Sequence, residues 1–110
     1  MKRADGKFIE IGRENASSDA LQFAPDETTP SLLDGEVFVT GVNTKATAIT
    51  NFTDAEAGIV YTIYGNGSEN ASTIASGGNF VLTEAITLSE GKFIKLAKAA
   101  DGKFYEVARG

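Results

Sequence analysis

Residues 2–13, KRADGKFIEIGR, return near the other end of the chain as residues 98–109, KAADGKFYEVAR, with eight of the twelve aligned positions identical. Each copy opens on an Asp-Gly pair, Asp5-Gly6 and Asp101-Gly102, a tight-turn signal because glycine enters positive φ without strain. A strand pattern follows. In the second copy Phe104, Glu106 and Ala108 are expected on one face and Tyr105 and Val107 on the other. The substitutions Ile9/Tyr105 and Ile11/Val107 exchange one strand-favouring residue for another. Two origins fit the repeat: a duplicated unit of roughly ninety residues whose last strand also stands at the front, or two edge hairpins that converged. Duplication is the reading preferred here. Either way the repeat bears on architecture and marks no active site.

Between the repeats the signals are almost all β. Residues 36–42 (EVFVTGV) alternate, with Val37, Val39 and Gly41 opposite Phe38, Thr40 and Val42. Residues 58–64 (GIVYTIY) are β-branched and aromatic and end sharply at Gly65-Asn66-Gly67-Ser68. Shorter strands are expected over 72–75, 79–83 and 85–88, the second with Phe80 and Leu82 on one face. Residues 92–97 should pair with 103–108 across a turn at 98–102. Residues 14–34 differ, carrying both prolines and a polar run, Asp26-Glu27-Thr28-Thr29. Leu21 and Phe23 suit a short strand there, and the rest reads as an extended loop or arm, of a length that is often functional. Residues 54–57 have room for one helical turn and no more. The expected fold is a single all-β domain over residues 1–110, with short antiparallel strands in a compact sandwich- or barrel-like arrangement and an extended N-terminal arm or loop.

Composition narrows the chemistry. The 110 residues hold no Cys and no His, which removes thiol nucleophiles, imidazole bases, disulfides and zinc sites of the usual ligand types. Ten Lys and Arg against fifteen Asp and Glu leave a net charge of −5, which argues against nucleic acid or an anionic membrane as partner. No apolar run approaches the roughly 18 residues of a membrane span, and the basic start leads into a charged turn rather than a signal h-region. Synthesis in a cytoplasm is the expectation.

Carboxylates are the remaining acid–base groups. Asp54 and Glu56 lie two apart, and Asp26 and Glu36 would need the fold to bring them together. Nothing fixes the separation that paired-carboxylate catalysis requires, so no enzyme activity, metal or cofactor is expected. Residues 66–70 (NGSEN) lack calcium-loop spacing and read as a β-turn. Neither Gly65-x-Gly67 nor Gly77-Gly78 is followed by the Lys-Ser/Thr of a phosphate loop. Asn-x-Ser/Thr triplets at Asn15, Asn51, Asn66 and Asn70 are expected to be coincidence, since no signal segment is visible and the chain is rich in Asn, Ser and Thr. The aromatics Tyr61, Tyr64, Phe80, Phe93, Phe104 and Tyr105 suit a core or subunit interface better than a sugar-stacking surface. Tyr64, beside the Gly65 turn, is the one expected to be exposed.

Residues 49–109 carry, in order, Ile49-Thr50-Asn51-Phe52, then Gly58-x-x-Tyr61-x-Ile63-Tyr64-Gly65-Asn66-Gly67, Thr73-Ile74 and Gly78-Asn79-Phe80-x-Leu82. Ile86-x-Leu88-x-x-Gly91-x-Phe93-Ile94-x-Leu96 follows, and residues 101–109 (DGKFYEVAR) close the set. This ordered pattern resembles β-rich modules of tailed-bacteriophage virion proteins: fibre, spike and capsid-surface proteins. Such modules often have Trp at the position of Phe104. The resemblance covers a little over half the chain and implies a non-enzymatic structural module, commonly trimeric, with no catalytic residues. On it rests the expectation of a decoration (cement) or head-fibre-base protein, made in the bacterial host cytoplasm and mounted on the virion. Its partners would be itself, as a homotrimer, and the major capsid or another virion protein. Tyr64, Leu21, Phe23, Pro25 and Pro30 are the candidate interface or glycan-contact residues. The alternative expectation is a host-glycan-binding module of a tail fibre or spike.

Overall fold

The computed structural model describes residues 20–67 and 69–110; the first copy of the repeat and residues 14–19 lie outside them. The described residues form nine short strands: β1 (Leu21–Gln22), β2 (Val37–Val39), β3 (Thr47–Ile49), β4 (Val60–Tyr64), β5 (Ser72–Ile74), β6 (Phe80–Val81), β7 (Ile86–Leu88), β8 (Phe93–Lys98) and β9 (Phe104–Arg109). There is no helix among the described residues, and no helix is long and apolar enough to cross a membrane. The strands make two sheets, one ordered β1-β2-β4-β8-β9-β6 and one ordered β3-β5-β7.

The strands were expected to be antiparallel, and four of the seven pairings are parallel: β1–β2, β2–β4, β3–β5 and β6–β9. From β2 to β8 the chain changes sheet at every strand. A strand therefore meets its sheet neighbour only after a detour through the other sheet, and β2 and β4, separated by one such excursion, run the same way. Among the described strands only β8 and β9 are joined as a hairpin, with a turn closed by Ala99 N–H to Lys103 O at 2.9 Å and Gly102 N–H to Ala99 O at 3.0 Å. Gly102, at φ +89°, supplies the left-handed turn residue that the Asp-Gly pair anticipates.

The inner faces of both sheets meet in one cluster. Phe38, Tyr61, Ile63, Ile94, Leu96, Phe104 and Phe80 come from the larger sheet, and Ile49, Ile74, Ile86 and Leu88 from the smaller. Phe52, just past β3, fills the gap between them. Its ring centroid lies 6.0 Å from Phe23, 5.6 Å from Phe80 and 5.4 Å from Phe104. Residues 20–34 are held to the globule rather than extended as an arm. Phe23, Pro30 and Leu32 are buried. Thr53 N–H donates to Pro30 O and Leu32 N–H to Thr53 O, so this stretch lines the edge of the smaller sheet beyond β3.

Turn chemistry ties the loops. Asp26, at φ +63°, accepts hydrogen bonds from Thr44 N–H (2.8 Å) and Thr44 Oγ1 (2.7 Å), which hold its carboxyl below the usual range. Beside it the buried Asn43 side chain accepts from Asp26 N–H and donates to Asn70 O and Ser72 Oγ. Three separate loops thus share one satisfied buried amide.

The register of β9 differs from simple alternation. Ile94 faces Arg109 and Lys95 faces Ala108, but Leu96 faces Glu106, leaving Val107 as the extra residue of a bulge. Ala108 therefore turns outward, not to the side of Phe104 and Glu106, and Arg109 turns inward beside Glu106. Without the bulge, residues three apart on a strand would point to opposite faces. With it, Arg109 Nε and Nη2 grip the two oxygens of Glu106 at 2.9 and 2.8 Å. Thr83 N–H and Oγ1 donate to Glu106, and Arg109 Nη2 reaches Glu84 O at 2.6 Å.

These hydrogen bonds, the Arg109 contact foremost, lower the Glu106 pKa from 4.5 to about 2. Because the folded value lies below the unfolded one, the stabilisation is complete above about pH 5 and is lost as pH falls toward 2. Glu106→Gln should cost about 1–2 kcal/mol at neutral pH. Urea unfolding across a pH series should show the gap between wild type and variant closing in acid; a gap independent of pH would mean that the charge contributes nothing.

Candidate interaction face

The backs of the larger sheet's strands form three rows. Gln22, Val39, Tyr64 and Phe93 make the first; Val37, Thr62, Lys95 and Ala108 the second; Val60, Ala97, Tyr105 and Val81 the third. Nine of these twelve side chains are apolar or aromatic, and Lys95 alone is charged. A sheet with one face on a core ordinarily presents polar residues on the other. Here Val37, Val60, Tyr64, Val81 and Tyr105 are all exposed on that outer face, which makes it the candidate interaction surface. The sequence puts it there because GIVYTIY is apolar at both strand parities: Tyr61 and Ile63 enter the core while Val60 and Tyr64 face out.

Tyr64 is exposed as anticipated and packs on half-buried Phe93, ring centroids 5.6 Å apart. It lines a hollow of about 800 Å³ with Ala20, Gln22, Val37, Val39, Gly65 and Gly91. At the other end, Tyr105 donates its hydroxyl to Asp101 at 2.7 Å; the bond raises the phenol pKa and lowers the carboxyl's.

The other expected contact residues are scattered. Leu21 is exposed on edge strand β1, in the row of Phe38 and Ile63 rather than on the outer face. Phe23 is buried, stacked on Phe38 at 5.3 Å, and Pro30 is buried beside it, whereas Pro25 is exposed. Leu21, Phe23 and Pro30 share a hollow of about 430 Å³ with Gln22, Leu33 and Phe38. Outer-face residues Val39, Val60 and Val81 were not among the expected contacts. Period-2 alternation could have flagged each strand, but placing them on one face needs the strand order.

Asp34, Glu36, Asp54 and Glu56 border one shallow hollow of about 170 Å³, apart from Asp26. Asp26 is occupied by Thr44, Asp54 accepts a 2.6 Å bond from Ser31 Oγ, and Glu36 and Glu56 are exposed. Among the described residues no three Asp or Glu side chains are grouped to hold a metal ion. Comparison with known proteins finds no matching family model, no matching curated protein and no matching solved structure.

Proposed function

We propose that the chain is a non-enzymatic structural protein of a bacteriophage particle, a capsid-surface decoration or head-fibre-base protein. It is a sandwich-like module that assembles with itself as a homotrimer and binds the major capsid protein. The observation that carries the associative half is the outer face of the larger sheet, where a chain of net charge −5 presents twelve positions with no acidic side chain. Copies that repel one another elsewhere through their acidic side chains bring no carboxylates together there. The virion assignment rests on the ordered residue pattern of positions 49–109. A second reading, host-glycan binding, is favoured by Tyr64, whose exposed ring beside a hollow suits stacking on a sugar.

Light scattering with size exclusion across a wide concentration range tests the first reading. Wild type should run as a trimer. Val60→Asp, on an exposed outer position, should leave the fold intact and weaken association by about a hundredfold, as expected for an unpaired charge carried into an apolar interface. A wild-type monomer at high concentration would remove self-association, and cosedimentation with capsids would then decide the rest. Loss of oligosaccharide binding in Tyr64→Ala would instead support the glycan reading.

A further inference from the structure

The sequence repeat acquires a physical meaning once the contacts of β9 are known. Four side chains of β9 and the turn before it tie this segment to the fold. Phe104 is fully buried against Phe52 and Phe80, Glu106 and Arg109 clamp residues 83–84, and Asp101 accepts from Lys103 N–H at 2.9 Å to set the turn. Residues 2–13 keep all four, as Phe8, Glu10, Arg13 and Asp5, and keep Gly6 for the position whose φ is +89°. Within the strand the copies differ at Ile9, Ile11 and Gly12. These correspond to Tyr105 and Ala108, which face outward, and to Val107, the bulge residue; all three are exposed. Every residue by which β9 contacts the groove is thus kept, and within the strand the differences fall at positions that make no groove contact.

We propose that the groove between β8 and β6 is a recognition site for this one strand sequence, and that residues 2–13 of the same chain are its second occupant. The geometry permits the exchange. Leu21, Phe38, Ile63, Ile94 and Arg109 lie in one row across the sheet, so Leu21 is four strand spacings, about 19 Å, from the end of β9. Eight peptide steps from Arg13 to Leu21 reach roughly 26–29 Å. The pairings make β1 parallel to β9, so a strand ending at the Arg109 level arrives level with Leu21 and need not double back. β9 is the major occupant, because Ile9 cannot reproduce the Tyr105–Asp101 hydrogen bond and Gly12 is a weaker strand residue than Ala108. Residues 2–13 are the minor occupant, at roughly 1–10 %. The displaced residues 98–109 carry the same four contacts into the equivalent groove of a second copy.

The absence of native cysteine makes disulfide trapping in the full chain the direct test. Tyr105 faces Ala97 across β8–β9, a spacing a disulfide spans, so Tyr105→Cys with Ala97→Cys is the control and Ile9→Cys with Ala97→Cys the probe. The 9–97 bridge should form within single chains, roughly tenfold more slowly than the control, in line with the minor population. Phe104→Ala should accelerate it severalfold by weakening the competitor, and Phe8→Ala should abolish it. No 9–97 bridge, or one formed only between chains, overturns the proposal. So does a bridge indifferent to Phe8→Ala, since that is random encounter. Phe8→Ala leaves β9 untouched, so the test stands even where Phe104→Ala unfolds the chain.

Discussion

Gly65→Ala will lower stability by about 3 kcal/mol, a fall in melting temperature of roughly 10–15 °C for a domain of this size. The cause is space, not backbone freedom. A Cβ at Gly65 would run into the carbonyl oxygens of Leu88 and Ser89, backbone atoms that cannot rotate away. Gly65 N–H also donates to Lys92 O at 2.9 Å, which fixes the end of β4 beside the start of β8. Gly58 is the contrasting case: φ is +92° and nothing lies near its Cβ direction. Gly58→Ala should therefore cost only the left-handed penalty, about 1–2 kcal/mol. Thermal unfolding of the two variants side by side checks the distinction, and equal losses would contradict it.

Phe52→Ala is expected to cost more, about 4 kcal/mol. Its ring touches aromatics from residue 23, β6 and β9, and it is 2 % exposed. Without it the two sheets face each other across a void that short strands cannot close. Domains of this size are stable by only about 5–15 kcal/mol, so the variant should be marginal at room temperature. Urea denaturation should show a much lower midpoint at an unchanged slope. A loss below about 1 kcal/mol would mean that the sheets are held together elsewhere.

Both positions show what the sequence could and could not convey. The strands at 37–39, 60–64, 72–74, 80–81, 86–88, 93–98 and 104–109 follow from local alternation and turn residues, and the 98–102 turn was legible from Asp101-Gly102. Thr47–Ile49 was passed over because three residues, two of them small or polar, give no period to detect. Pairing was the larger gap. Which strands become neighbours depends on which sheet each intervening strand joins, and no local signal carries that. The bulge at Val107 was invisible for a related reason: it reverses the facing of Ala108 and Arg109 without leaving a glycine or proline to mark it. Gly65 reads as a turn residue in the cluster 65–68, whereas its role comes from Leu88 and Ser89, more than twenty positions away. The outer face was half legible. Tyr64 could be placed outside from its turn, but the rows uniting it with Val39, Val60 and Val81 exist only once β2, β4, β8, β9 and β6 are set side by side.

The weaving of the chain between sheets also sets an order on how the molecule can come into being. β2 and β4 find one another only after β3 has left for the other sheet, and β4 waits for β8, about thirty residues later, to cover its second edge. On a ribosome the first half of the domain therefore emerges with its sheet edges open and its aromatic residues unshielded. Only β8 and β9 pair through a neighbouring turn, and they are made last. Assembly must wait for that hairpin, and in a fold so dominated by distant pairings it should be slow for a chain of this length.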